Sequence, residues 1–435
     1  MSISRRSLLT AIFAFLIGTV SSVAAVGLAG TTAVPVDTSR SVLELPPSKG
    51  NARNSEGSFA TLKDGRILFV YSHFVGDSYD DHAKAVLASR ISSDEGETWS
   101  GDTVIATPNE EKAMNVMSVS LLRLGNGDLG LFYCLRMSWH DLRMQLRRST
   151  DEGRTWSAPV MCMPAAEYYV VNNDRVIRLA SGRLVIPAAW HRKVHEANED
   201  SSRDWRAIAT FFLSDDDGRT WRESAQMCTL PSPHTIAGLQ EPGVVEMADG
   251  TLWAYARTDL GRQYEFFSSD GGNTWTVPQP SRFTSPVSPL SMKRLPGSNL
   301  LLAIWNPIPN YQTRPLEEPG GDRTPLVGAV GDGTTDATWG STFLVDRNDT
   351  TQEGYCYTAM HFTGKSVLLA YCAGGRPDNH RLNRLRIRKI ELAALQSLVP
   401  KISRTASTAG PRSVRQAELL HPPANDSISA SVRLR

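Results

Sequence analysis

The 435-residue sequence predicts an all-β chain, a six-bladed β-propeller with four-stranded antiparallel blades, and three observations carry that reading. A phrase of the form S-x-D-x-G-x-T-W is written four times. A hairpin signature, a Gly-containing turn between apolar runs, is written six times and alternates with the phrase in strict order. Helical periodicity is confined to a short stretch near Glu391 to Leu398.

Taken in chain order, residues 1–30 open with Ser4-Arg-Arg-Ser-Leu-Leu9 and continue as an apolar, small-residue run, with cleavage sites at Ser22-Val-Ala24 or Val23-Ala-Ala25. This reads as an export signal, and the Arg5-Arg6 pair fits the twin-arginine type. The expected location is periplasmic or extracellular; an uncleaved run would act as an N-terminal anchor. Residues 31–49 read as a linker, 50–395 as the propeller, and 400–435, rich in Ser, Ala, Pro and Arg, as a disordered tail.

The six hairpins turn at Gly65, Gly127, Gly182, Gly250, Gly297 and Gly364. Asp-Gly, Asn-Gly and Ser-Gly supply the positive φ that tight turns need. The phrases follow as Ser92 to Trp99, Ser149 to Trp156, Ser214 to Trp221 and Ser268 to Trp275, with a worn fifth copy from Asp332 to Trp339. Asp and Gly form the turn, Ser or Thr bonds its backbone, and Trp packs between sheets. In the sixth unit Leu382 to Ile390 is a strand-like alternation able to close a ring. Units of roughly 60 residues with about four short strands each suit a propeller better than a sandwich or barrel.

The totals exclude several function classes. Lys+Arg (46) and Asp+Glu (45) nearly cancel, so the footprint of a protein that tracks nucleic acid or an anionic membrane is missing. Five cysteines without C-x-x-C spacing are too few for a disulfide scaffold. His191-Arg-Lys-Val-His195-Glu196 reverses the order of the H-E-x-x-H zinc motif and lies in a charged loop, so neither metal nor cofactor is expected.

The repeated phrase is the Asp-box, and from about residue 50 to 395 the chain resembles the sialidase (neuraminidase) superfamily, whose enzymes are six-bladed propellers. The resemblance implies a Tyr nucleophile beside a Glu, an Asp acid/base, and three arginines that grip a substrate carboxylate. A planar guanidinium pairs with a carboxylate bidentately. A neutral phenol, deprotonated by a nearby Glu, suits attack on an anomeric carbon that already bears a negative group.

Carried onto this chain, the segment Gln240 to Arg257 implies Glu241 as the activating carboxylate and Arg257 as one arginine; Arg323 is the second, with Arg314 in the same loop. Tyr355 is the expected nucleophile, with Tyr357 as the alternative. Asp80 is the expected acid/base, preferred to Asp81. The Arg-Ile-Pro that should enter the first hairpin is missing: Asn54 to Thr61 stands there, with Glu56 near the expected arginine. Arg53 and Arg175 are the replacements at hand. The function implied is an exported, retaining exo-glycosidase that releases a terminal acidic sugar, sialic acid or a relative, from a glycan. The alternatives are a non-catalytic propeller that binds glycan or protein, and a hydrolase or lyase for another acidic polysaccharide.

Overall fold

The computed structural model describes residues 34–35, 39–110, 112–309, 323–334, 337–347 and 354–400. The export signal, the tail beyond Pro400 and Arg314 lie outside the described residues. Among those described, strands dominate; the one α-helix is Leu392–Gln396, and no helix is long and apolar enough to cross a membrane.

All six expected hairpins join antiparallel strands. Arg53–Thr61, Ile67–Phe74, Ala85–Ser92 and Thr103–Ala106 form the first sheet. Gln240–Glu246, Leu252–Arg257, Arg262–Ser268 and Gln279–Thr284 repeat it. Ser291–Arg294, Leu301–Trp305, Leu326–Gly331 and Phe343–Asp346 repeat it again, with Val34–Pro35 added in parallel at the edge. The turns at Gly65 and Gly250 have φ 86° and 86°, which only glycine adopts without strain.

Two expectations change. The hairpins at Gly127 and Gly182 belong to one nine-stranded sheet running from Asn115–Arg123 to Arg222–Glu223. The strand Tyr168–Val170 bridges in parallel to Leu142, which fuses what would otherwise be separate sheets. Five sheets result, only three of them four-stranded. The segment expected to be a linker also supplies a strand: Arg40–Leu45 lies antiparallel on Leu385–Glu391 and completes the last sheet with Cys356–Phe362 and Ser366–Cys372.

The core lies between consecutive sheets, where period-two alternation turns one face of each strand toward its neighbour. Leu68 and Val70 pack with Val116 and Leu131; Phe211 and Leu213 with Leu252 and Phe266; Trp253 and Tyr255 with Leu301 and Trp305. Phe59, Phe69 and Tyr71 pack with Leu368, Ala370 and Ile387, which joins the first sheet to the last.

The S-x-D-x-G-x-T-W phrases occupy the hairpin between the third and fourth strands. In the first copy the Ser92 hydroxyl donates to Asp94 (2.8 Å) and accepts from the Gly96 N–H (2.8 Å), while Asp94 accepts from the N–H (2.9 Å) and hydroxyl (2.5 Å) of Thr98. The other three copies repeat these bonds. Donation from threonine hydroxyl and N–H holds Asp94, Asp151 and Asp216 at about 2. The tryptophans pack on neighbouring units: Trp275 stacks on Phe211 of the preceding sheet at 4.0 Å, and Trp221 meets Phe132, within the nine-stranded sheet, edge-on at 6.2 Å.

Candidate active site

The first strands of the sheets carry a second, less visible repetition. Glu56, Ser118, Glu241 and Tyr357 within them, and Asp174 in the turn before Ile177–Arg178, have positive φ, between 48° and 60°. Four of them sit inside a register shift: Ser55/Ser58, Met117/Ser120, Gln240/Gly243 and Cys356/Ala359. Each shift is a β-bulge, which takes one residue out of the alternation and re-aims its side chain. A left-handed non-glycine residue costs about 1–2 kcal/mol, and five in equivalent places mark a functional region.

Asp174 shows where these strands converge. Its carboxylate accepts from Ser58 (3.0 Å), from Lys293 (2.7 Å) and from the Met360 N–H (2.9 Å), tying four units together. Glu56, Ser118, Glu241 and Tyr357 instead reach an open cavity. Its main chamber is about 870 Å³ and continues into a recess of about 60 Å³; Asp81, Tyr168, Glu241 and Tyr357 line both.

On the chamber floor the Tyr357 hydroxyl donates to Glu241 Oε1 at 3.1 Å. Arg257 lies on both, 2.9 Å from Glu241 Oε2 and 3.4 Å from the Tyr357 oxygen, and its Nε donates to Gln240 (2.9 Å). Burial and the Glu241 charge push the Tyr357 phenol well above its ordinary range, against the pull of Arg257 and Arg323. A phenol this reluctant to ionise needs its proton taken by the carboxylate it already touches.

Beside this pair stands an ionic cluster that runs from the buried Arg53 and Glu56 out to Asp81, whose side chain is 55% exposed. Arg53, 1% exposed, contacts Glu56 at 2.9 Å and Asp81 at 2.6 Å, and Ser118 donates to the other Glu56 oxygen at 2.8 Å. Burial raises Glu56 to about 7 despite Arg53. Burial acts the same way on Asp81, but Arg53 and Arg136 outweigh it and hold that carboxyl below its ordinary value. Arg136 closes the recess, donating to the Tyr168 hydroxyl at 2.6 Å. The outer wall is aromatic: His82 stacks on Trp139 at 3.6 Å, and Trp205 stands half exposed at the rim.

Of the residues expected from the sequence, Glu241, Arg257, Arg53 and Asp80 line the chamber. Tyr355 does not. It is 1% exposed, packs edge-on against Tyr371 at 6.0 Å and belongs to the core between the last two sheets. The bulge at Tyr357 is the reason: it delivers that tyrosine, the alternative, to the cavity. Arg175 also lies behind the wall, donating to the Tyr255 hydroxyl (3.2 Å) and the Leu290 carbonyl (2.7 Å). Arg323 stands beneath Tyr357, 5.5 Å from the ring centre, and donates to the Val287 carbonyl (3.0 Å). Both carboxylates are exposed; Asp80 is bonded to Ser78, whereas Asp81 meets Arg53 and reaches both chambers.

Sequence reasoning passed over Arg136, Arg203 and the rim tryptophans. For Arg136 a signal existed: it ends the second strand of its unit, Leu129–Arg136, as Arg257 ends Leu252–Arg257.

An all-β chain with this repeated turn and a polar cavity where its first strands converge belongs to a recognised class. The family described as the BNR repeat-like domain matches residues 70–367, and the chain belongs to that family, within the sialidase superfamily. Among curated relatives, the sialidase of Paraclostridium sordellii is 26% identical over 249 residues, covering 51% of this chain and 57% of that one. The sialidase of Bacteroides fragilis is 24% identical over 256 residues, covering 52% and 44%. The chain thus spans about half the length of these relatives. Among solved structures, a Hadza microbial sialidase (19% identity, TM-score 0.60, 79% of this chain and 67% of that one) and a leech intramolecular trans-sialidase (16%, 0.61, 82% and 71%) share the fold. A Dyadobacter fermentans protein of unknown function does so over 82% of this chain and 100% of its own, at 18% identity and a TM-score of 0.60.

Proposed function

We propose that this chain is an exported, retaining exo-glycosidase of sialidase type, built as a six-bladed propeller in which the nine-stranded sheet is two blades. The six hairpins and the packing of the last sheet on the first support the blade count. The observation that carries the chemistry is the Tyr357 hydroxyl held 3.1 Å from Glu241, with Arg257 on both.

In this reading Glu241 takes the phenolic proton as Tyr357 attacks the anomeric carbon, and the bond from that carbon to the leaving oxygen breaks. Asp81, across the recess from Tyr357, gives its proton to the leaving oxygen. That transfer requires the bound substrate to exclude water and raise a carboxyl that Arg53 and Arg136 hold low. In the second half Asp81 takes a proton from water, which attacks the glycosyl–tyrosine bond; the phenolate leaves and recovers its proton from Glu241. Configuration is retained because the anomeric carbon is inverted twice.

The test is to trap the intermediate with fluorinated, activated glycosides and map the adduct by peptide mass spectrometry. Label on the Tyr357 peptide, absent in Tyr357→Phe, supports the assignment. Full turnover by Tyr357→Phe would sink it. The terminal acidic sugar expected from the resemblance is one substrate for this machinery; the charge on the floor favours another.

A further inference from the structure

Among the described residues that line the two chambers, three guanidiniums reach the floor on which Tyr357 and Glu241 stand and three carboxylates answer them, while Arg323 stands behind the Tyr357 ring, 5.5 Å from its centre. Arg257 holds Glu241; Arg53 holds both Glu56 and Asp81; Arg136 is the second cation acting on Asp81. Farther out Arg203 is paired with Asp200 at 2.5 Å. Among the described residues of both chambers, five Lys and Arg side chains stand against six carboxylates. The histidines on the wall add no charge near neutrality, since burial pushes His82, His191 and His380 down to about 4.

A site that grips a substrate carboxylate needs cations whose forks are open until the substrate arrives. Here the fork of Arg53 is filled from within the chain. Glu56 is 6% exposed, fixed by Arg53 on one oxygen and Ser118 on the other, and set there by a left-handed backbone. A carboxylate on the sugar would enter beside Glu56, Asp81 and Glu241, whose salt bridges already occupy Arg53 and Arg257, and like charges so placed repel.

Resting on the glycosidase reading above, we infer that Glu56 stands in for the substrate carboxylate, so that the sugar cleaved carries none on its anomeric carbon and is an uncharged glycoside. The recess beside Glu56, about 60 Å³, accommodates a hydroxyl or hydroxymethyl group, whose hydrogen Glu56 or Asp81 accepts. The reason for a tyrosine nucleophile survives the change. A carboxyl group still lies beside the reacting centre, but the protein supplies it, and a neutral phenol avoids adding another to Glu56, Asp81 and Glu241.

Two ligands that differ in charge decide the matter: 2-deoxy-2,3-dehydro-N-acetylneuraminic acid and its methyl ester, titrated calorimetrically against the full chain, beside a panel of uncharged aryl glycosides and an aryl sialoside. The expected result is that the acid binds no tighter than the ester and that uncharged glycosides are cleaved in a Tyr357-dependent way. The isosteric Glu56→Gln should then shift the acid-to-ester affinity ratio toward the acid by about tenfold. Wild type binding the acid about tenfold tighter than the ester, or cleaving the sialoside fastest with Tyr357 still required, overturns the inference and leaves the glycosidase reading standing. Loss of such a preference in Arg136→Met would place the carboxylate on Arg136 instead. If neither ligand binds and no glycoside of either kind is cleaved, the glycosidase reading falls and the inference with it.

Discussion

The outer hairpins and the inner strands use the same backbone device for opposite ends. In the S-x-D-x-G-x-T-W turns, Glu95, Glu152 and Asp217 are left-handed, with φ 57° to 62°, and the Ser, Asp, Gly and Thr that define the phrase bond one another two to four residues apart, while Glu152 and Asp217 also take bonds from the neighbouring unit. Near the cavity Glu56, Ser118, Asp174, Glu241 and Tyr357 are equally left-handed, but bonds between units meet there: Ser118 reaches Glu56, Tyr357 reaches Glu241, and Asp174 reaches Ser58, Lys293 and Met360. Where the stabilising bonds are local, residue types are fixed and the turn is written out each time. Where the partners are distant, each bulge is free to hold a different residue, and chemistry can be placed there.

The sharpest way to break this comparison is at the inner tyrosines. Tyr357→Phe should lower kcat/KM by about 10³-fold or more, whereas Tyr355→Phe, two residues away in the core, should stay within about threefold. Steady-state kinetics on any glycoside that is cleaved checks both, and equal losses would erase the distinction between bulge and strand. In the same assay Asp81→Asn should cost more than Asp80→Asn.

The next effect is on stability at the point of convergence. Asp174→Ala leaves the Met360 N–H without its acceptor and Lys293 with only the Met360 carbonyl, and should cost about 3 kcal/mol in denaturant unfolding. A third effect depends on pH. His191, 4% exposed and held by burial at about 4, binds its proton less readily folded than unfolded. Its contribution is therefore complete above its unfolded value and is lost as pH falls through about 6 toward 4, by up to about 2 kcal/mol. Unfolding midpoints from pH 7 to pH 4.5 should fall less steeply in His191→Gln. The smallest effect belongs to the outer turns: Ser268→Ala, which strands the Gly272 N–H, should cost about 1 kcal/mol and leave turnover unchanged. A large loss of activity there would mean that the repeated turns are not confined to architecture.

The same contrast explains what could be read from the sequence. The hairpins and the turn phrases were legible because Gly, Asp, Ser and Thr act within a few residues of one another. Glu241 and Arg257 were legible because they bracket one hairpin in a familiar segment. Tyr357 was displaced by Tyr355 because period-two alternation does not foretell a bulge: one left-handed residue exchanges which tyrosine faces the core. Arg175 looked exposed to the centre, yet its segment anchors neighbouring units, with Asn173 donating to the carbonyls of Gly57 and Tyr357. The strand Arg40–Leu45 was invisible for a related reason, since its partner lies at the far end of the chain.

That strand bears on how the protein comes to be made. Glu44 meets Arg386, 342 residues later, at 2.5 Å. During synthesis one of the earliest strands to emerge therefore waits for one of the last, and the final sheet cannot be completed until nearly the whole domain exists. The last sheet is closed by an early strand, so a ribosome that stops short of Leu385 releases a molecule in which Arg40–Leu45 has nowhere to dock.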